Sequence, residues 1–596
     1  MTAAQPADPI GVPAFGTTLI APDRTLFRLW APAQPAVSLE IEGMPALPMA
    51  RRADGWFETE ARCGAGALYR YRLSSGHAVP DPAARAQASD VHGPSIVIDP
   101  NSYTWRVRDW HGRPWHETVL YELHAGLLDG FSGVARELAR LADLGITAIE
   151  LMPIAEFPGR RNWGYDGVLP FAPARSYGTP DELKTLVDAA HAHGLMIFLD
   201  VVYNHFGPDG NYLSLYAPDM FRSDVVTSWG PAIDFRLPEV RRFFSQNAVY
   251  WLTEFRFDGL RLDAAHAITE SDWLDEMAAE VRAIIEPGRH VHLVLENDAN
   301  AAEHLARNFD AQWNDDGHHV LHVLLTGEHE GYYADYADRP VERLARCLAQ
   351  GFIYQGEPSP HRDGRRRGSP SASLPPAAFV LFLQNHDQIG NRAFGERLTT
   401  LVQPRALEAA IALEFLCPQI PLIFMGEEYA SPTPFFFFTD HKEELAQAVR
   451  EGRRREFASF ASFASFACTD RLAALPDPNS AETFERSRPQ PDAACARGRE
   501  SLYRRLIALR RDEITPRLSG ARSLDVRVLG AAAVHARWRM GDGSVLALAS
   551  NFSSESADIG PQSGVMLFAS TQEGERMARA GRLAACCTVA FLDSTV

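Results

Sequence analysis

The chain has 596 residues, with 58 basic and 76 acidic side chains and a formal net charge of −18. Single cores stop growing at roughly 250–300 residues, so several domains are expected, and a 46% hydrophobic, 22% charged composition excludes disordered, collagen-like and coiled-coil classes. The acidic excess argues against nucleic acid or an anionic membrane as main partner, because a phosphate-binding surface needs basic charge.

Up to about Trp105, short alternating runs are separated by Gly, Pro and Asp turns: Leu26–Pro32, Val37–Gly43, Gly55–Glu60 and Ala67–Leu73. They predict an immunoglobulin-like β-sandwich over residues 1–105. From Val119 the grammar changes. Eight apolar runs alternate with helix-period stretches: Val119–His124, Ile146–Ile154, Leu195–Tyr203, Gly259–His266, His292–Asn297, Ala311–Asp315, Phe379–Asp387 and Pro421–Tyr429. One helix start is explicit at Thr179-Pro180-Asp181-Glu182, with an N-cap, a first-turn Pro and an acid at the third position. Eight strand–helix alternations predict a (β/α)8 TIM barrel within residues 106–500. Apolar runs without strict alternation fit strands buried on both faces. A helix (Leu502–Arg511) and further alternating segments predict an antiparallel β domain over 501–596. Arg362–Pro376 reads as a loop, and the FAS repeat (Phe457–Phe466) as an insertion tolerated in a loop.

The first sixteen residues show no basic segment followed by an apolar run, so no secretory signal is expected. No stretch approaches the roughly 18 apolar residues of a membrane span. Seven cysteines, an odd count without C-x-x-C, favour free thiols in a reducing compartment over a disulfide framework. A cytoplasmic location is expected.

Barrel enzymes build their sites where the strands end. The third run leads into Asp200, Asn204 and His205, and the fourth carries Arg261, Asp263 and His266. The fifth ends in Glu296, Asn297 and Asp298, the sixth runs into Asn314, Asp315, Asp316 and His318, and the seventh ends in Asn385, His386, Asp387 and Gln388. Carboxylates gathered at one end of an apolar barrel are costly unless they are used. Their pattern suits glycoside hydrolysis, in which one ionised carboxylate attacks and a protonated one donates to the leaving oxygen. A retaining pair stands about 5–5.5 Å apart. Arg261 is placed to keep Asp263 ionised, and repulsion from Asp263 helps Glu296 to hold its proton. His205 and His386 can bond sugar hydroxyls, and Trp163, Tyr165, Trp313, Phe394 and Tyr429 can stack on pyranose rings. Asp200 with His205, or His318, His319 and His322, offer metal-ligating side chains without a ligand spacing such as H-E-x-x-H. Neither metal nor cofactor is expected.

At these residues the chain resembles the α-amylase-type glycoside hydrolases. Asp200–His205 (DVVYNH), Gly259–His266 (GLRLDAAH), Glu296 and Asn385–Asp387 (NHD) are similar to that family's four strand-end motifs. Longer strings, such as Ala155–Pro173, Leu295–Asn300 and Gln384–Leu398, resemble the malto-oligosyltrehalose trehalohydrolases within it. The resemblance implies that Asp263 is the nucleophile, Glu296 the general acid/base and Asp387 the transition-state stabiliser. It implies substrate contacts at Tyr165, His205, Arg261, Leu262, Ala264, Ala265 and His266. Further contacts would come from Asn314, Asp315, Asp316, Gly317, His318, His386, Gln388, Ile389, Gly390 and Asn391. The reaction would cleave the α-1,4 bond beside the terminal trehalose of malto-oligosyltrehalose by retaining double displacement. A malto-oligosyltrehalose synthase would be the pathway partner. The N-terminal sandwich resembles the modules that precede branching and debranching enzymes.

Three departures stand out. Gly317 occupies a position where an aromatic is expected, which would cost a stacking contact. The loop Ala125–Gly133 looks shortened, and the FAS repeat enlarges a loop after the eighth strand. The rival readings are a glycogen branching or debranching enzyme and a non-catalytic glucan-binding protein on an amylase scaffold. The second is disfavoured because Asp263, Glu296 and Asp387 are all present.

Overall fold

The computed structural model describes residues 15–227, 230–458 and 474–594. The FAS repeat therefore lies, from residue 459 onward, outside the described residues.

Eight parallel strands close into a barrel in sequence order: β1 (Leu120–Leu123), β2 (Ala148–Leu151), β3 (Met196–Val201), β4 (Gly259–Leu262), β5 (His292–Leu295), β6 (Ala311–Trp313), β7 (Phe379–Phe382) and β8 (Ile420–Phe424). Every expected run supplies one strand, but each strand is shorter than its run. Phe379–Asp387, for instance, contributes only Phe379–Phe382 to the ladder. Beyond it Asn385 caps a short helix (His386–Gly390), accepting from the Gln388 amide at 2.9 Å. The polar tails of the runs thus leave the sheet and become the walls of the site.

Side chains alternate along each strand. Outward residues such as Ile149, Ile197 and Leu199 pack under the helices. Inward residues Leu120, Ala148, Met196, Phe198, Val294, Trp313 and Val380 form a dry floor. Farther toward the strands' C-terminal ends the inward side chains are Glu122, Glu150, Asp200 and Arg261, all buried. The floor depends on Gly259, because a Cβ there would stand 2.1 Å from the Phe198 ring.

The helix after β1, α1 (Phe131–Leu144), buries Val134, Leu138 and Leu141 along one face and stops at Gly145, whose φ is +105°. The helix before β3, α2 (Pro180–Ala192), starts as the sequence predicts. Thr179 Oγ1 accepts from the Glu182 amide at 3.2 Å, and Glu182 Oε2 accepts from the Thr179 amide at 2.7 Å.

Ahead of the barrel, one antiparallel sheet pairs Arg24–Trp30 with Trp56–Ala61, and a second pairs Val37–Ile41 with Leu68–Leu73. Phe27, Leu29, Leu39, Tyr69 and Tyr71 are buried between them. After the barrel comes a five-stranded antiparallel sheet, including Ala533–Arg539, Val545–Asn551 and Cys587–Asp593. It docks through Trp538 Nε1, which donates to Leu348 O at 3.3 Å, and Thr588 Oγ1, which donates to Ala409 O at 2.7 Å. The helix expected at Leu502 begins at Ala496 and runs through the expected boundary at residue 500. Tyr503 packs edge-on against Phe415 at 5.4 Å, which ties this helix to the barrel.

Among the described residues Cys347, Cys417 and Cys587 are buried free thiols, and Cys495 is an exposed one. No helix of the described residues is long and apolar enough to cross a membrane.

Gly259→Ala pushes a methyl into the packed floor and should cost about 1–3 kcal/mol. Thr179→Ala, which removes a helix cap, should cost about 1 kcal/mol. Thermal unfolding midpoints of the two variants should fall in that order below the parent.

Candidate active site

A cleft of about 420 Å³ opens at the C-terminal end of the strands. That volume lies in the ~300–1,000 Å³ range of small-molecule sites. Asp263 stands one residue past β4, with its amide donating to Val201 O at 3.0 Å. The chain then turns sharply at Ala264, a non-glycine residue with φ +39°. Such a conformation costs of order 1–3 kcal/mol and persists only where neighbours enforce it. Glu296, at the end of β5, does so. Its Oε2 accepts from the Ala264 amide at 2.8 Å and its carbonyl from the Ala265 amide at 2.8 Å. Asp387 sits in the first turn after Asn385, with Asn391 Nδ2 donating to its Oδ1 at 2.5 Å.

One guanidinium links the carboxylates. Arg261 Nη1 lies 2.6 Å from Asp200 Oδ2 and 3.0 Å from Asp263 Oδ1, and Nη2 lies 2.8 Å from Glu296 Oε2. Its plane rests 4.2 Å from the Trp313 ring centre. Burial alone would push Arg261 down, but Asp200, Glu296 and Asp263 more than reverse this and keep it charged. Asn204 Nδ2 holds the other Asp263 oxygen at 2.9 Å. Both oxygens of Asp263 are therefore fixed.

Burial pushes Glu150 well above the carboxylate range, with the charges of Asp200 and Glu122 adding to it and Arg261 opposing. Burial also raises Asp200 to about 7, with Arg261 opposing and Asp263 adding. Asp315 is pushed well up by burial and by the charge of Glu296. Burial lowers His205, whose Nε2–H donates to Tyr165 O at 2.9 Å.

The structure brings together Asp263, Glu296, Asp387, Tyr165, His205, Ala264, His266, Asp315, His386, Gln388 and Asn391 on the cleft wall. Arg261 lies just behind it. Several other expected contacts lie off the cleft. Leu262, Ala265 and Ile389 are buried apolar packing. Asn314 caps the following helix, α3 (Asp315–Thr326), and its Nδ2 donates to Gly351 O at 3.1 Å. Asp316 is a buried brace: its Oδ2 accepts from the amides of Ile353 at 2.6 Å and Tyr354 at 3.0 Å. Gly390 faces the Trp163 ring, where a Cβ would stand at 2.0 Å. Gly317 faces Leu381, where a Cβ would stand at 2.6 Å. An aromatic side chain has no room there, and the cleft loses no stacking contact through this glycine.

His318 also points away. Its Nδ1–H donates to Leu383 O at 2.8 Å and its ring stacks on Phe382 at 5.5 Å. The neighbouring His319 lines the cleft instead, with its ring 4.8 Å from Tyr332 and 5.1 Å from Tyr336. Of the five aromatics expected to stack, Trp163 and Tyr165 reach the cleft. Trp313 is the platform under Arg261, and Tyr429 stacks with Arg140 at 5.7 Å. Phe394 is not among the lining residues. Most of the remaining wall comes from the long excursion between β6 and β7, through Tyr332, Asp335, Tyr336, His361, Arg362 and Arg367, with Asp298 and Phe437 completing it. Arg367 is buried, 2.9 Å from Asp316 Oδ1 and 2.8 Å from Asp298 Oδ1. The run of arginines in a segment read as a loop was the available signal.

The two histidines should separate by variant. His319→Ala should raise KM about tenfold, a loss of about 1.4 kcal/mol, and lower the unfolding midpoint less than the His318 variant, since His319 lines the cleft. His318→Ala should instead destabilise the fold by about 2–4 kcal/mol, through a lost buried hydrogen bond and a cavity.

Residues 105–216 match the family model for the alpha amylase catalytic domain, and residues 521–591 match a domain of unknown function, DUF3459. A malto-oligosyltrehalose trehalohydrolase of Deinococcus radiodurans is 41% identical over 502 residues, 82% of this chain and 81% of that protein. One from Saccharolobus solfataricus is 41% identical over 448 residues, 73% of this chain and 79% of that protein. A 1.4 Å crystal structure from Salmonella typhimurium superposes with a TM-score of 0.91 at 42% identity, covering 98% of this chain and 100% of that one. The barrel, the converging carboxylates and identity of this extent have one joint reading: the chain belongs to the malto-oligosyltrehalose trehalohydrolases, a family of α-amylase-type glycoside hydrolases.

Proposed function

We propose that this enzyme hydrolyses the α-1,4-glucosidic bond adjacent to the terminal trehalose of malto-oligosyltrehalose, releasing trehalose and a shortened malto-oligosaccharide. The observation that carries the reading is the shared guanidinium. Arg261 fixes Asp263 and Glu296 on neighbouring nitrogens at 3.0 and 2.8 Å. Two carboxylates held side by side suit a retaining pair, which needs about 5–5.5 Å between them.

In this reading Asp263 attacks the anomeric carbon while Glu296 protonates the departing trehalose oxygen. Glu296 then takes a proton from water, which releases the sugar from Asp263. Asp387 holds ring hydroxyls as the pyranose flattens. Asp315, on the cleft wall and raised by desolvation and by the charge of Glu296, hydrogen-bonds a sugar hydroxyl. Tyr165, Trp163, Tyr332 and Tyr336 line the cleft and supply aromatic surface for pyranose rings. The substrate is uncharged, so the net −18 is solvated surface rather than a recognition field.

The same reading extends to the setting. A malto-oligosyltrehalose synthase precedes the enzyme in sequence of reactions, and a cytoplasmic location fits the scattered free thiols. Of the described residues, those up to 105 are assigned to the sandwich, those from 106 to 500 to the catalytic barrel and those from 501 on to the C-terminal domain, with the helix Ala496–Leu509 bridging the last two.

Product analysis tests the proposal. Free trehalose should appear from malto-oligosyltrehalose and not from plain malto-oligosaccharide. Branched glucan would instead assign a branching enzyme. The malto-oligosaccharide released should be the α-anomer at first appearance by proton NMR, since a β-anomer would mean inversion. Asp263→Asn should lower kcat at least about 10³-fold, and its unfolding midpoint should fall as well, because one ion pair of the buried Arg261 is lost.

A further inference from the structure

We propose that Glu122, on the first barrel strand, is a positioning residue that keeps both ring nitrogens of His386 protonated and fixes the ring beside the reacting sugar. The inference rests on the placement of His386 in the site proposed above.

The argument is a count of protons along one chain of contacts. Tyr165 has a single hydroxyl proton. Its oxygen lies 2.6 Å from Asp200 Oδ2 and 2.9 Å from His386 Nε2. Asp200 Oδ2 already accepts from Arg261 Nη1 at 2.6 Å. A proton on that oxygen would collide with the guanidinium hydrogen, and a protonated Asp200 would carry it on Oδ1. Oδ2 is therefore an acceptor in either state, and Tyr165 donates to it. Tyr165 can then only accept from His386, so Nε2 bears a hydrogen. At the other edge of the ring, His386 Nδ1 meets Glu122 Oε1, and the His386 amide donates to Glu122 Oε2 at 3.1 Å. A carboxylate there requires a hydrogen on Nδ1 as well. Both nitrogens are donors, and the ring is an imidazolium.

The surroundings agree. Tyr165 stacks on the ring at 5.1 Å, and Trp163 and Trp313 enclose it at 5.4 and 6.1 Å. The charged groups facing it are Glu122 from β1, Asp387 from its own segment and Arg261 from β4. His124, just past β1, is neutral, lowered by burial to about 4. Burial pushes His386 down, but the charge and hydrogen bond of Glu122 outweigh it, and Asp387 adds to them. The charge matters one residue along. Burial raises Asp387, and the positive His386 ring opposes that rise. Glu122 thus acts through His386 to keep Asp387 available as a carboxylate. No part of Glu122 is among the cleft-lining residues, so it works without touching substrate.

Nitrogen-15 NMR of histidine-labelled full-length protein, without substrate, tests this. The His386 signal is identified by its loss in His386→Asn. At neutral pH both His386 nitrogens should show imidazolium shifts. In Glu122→Gln the ring should be neutral at the same pH, and kcat for trehalose release should fall at least about tenfold, while KM moves less. Glu122→Asp should recover part of the rate and the charged ring. A neutral ring in the parent protein overturns the proposal, whether or not any variant folds. So does a Glu122→Gln variant that keeps the charged ring or the parent kcat. Because the ring is read without turnover, this inference can fail while trehalose release stands, and the reverse.

Discussion

A single buried cation organises this active site. Arg261 has lost its water, so its charge must be answered by protein, and three acids from three strands answer it. Breaking one such contact leaves an uncompensated charge in a low-dielectric interior. The geometry is therefore over-determined in the way that electrostatic catalysis requires. Trp313 closes the underside of the guanidinium.

This arrangement also accounts for the strain at Ala264. A left-handed alanine directly after Asp263 would relax if it were free. It is held because Glu296 accepts its amide while also meeting Arg261. The same carboxylate oxygen shapes the backbone beside one acid and sets the distance to it. Catalytic spacing and local fold are one constraint here.

The barrel was legible in the sequence because strands buried on both faces leave unbroken apolar runs. Asp263 and Glu296 are legible because each directly follows such a run, and Asp387 because it lies a few residues beyond one. The excursion between β6 and β7 was not. Tyr332, Asp335, Tyr336, Arg362 and Arg367 reach the cleft through a chain path that no periodicity announces. His318 and His319 were exchanged because one helical residue turns the side chain by about 100°, and only the packing of α3 on Leu383 decides which faces the sugar. Gly317 was noticed but misplaced for the same reason. Glu122 and Glu150 carried a signal that was available, since an acid inside an apolar barrel strand must be answered by something.

Asp316 has a consequence for how sugar is received. Its carboxylate accepts from the amides of Ile353 and Tyr354 and from Asn300, and meets Tyr336 and Arg367. These partners come from the end of β5 and from both limbs of the excursion, so one side chain rivets the far wall of the cleft to the barrel. The wall is braced by these protein contacts. A chain end that fits finds a rigid socket and gives up little free energy to ordering protein, while one that does not fit meets a surface unable to yield.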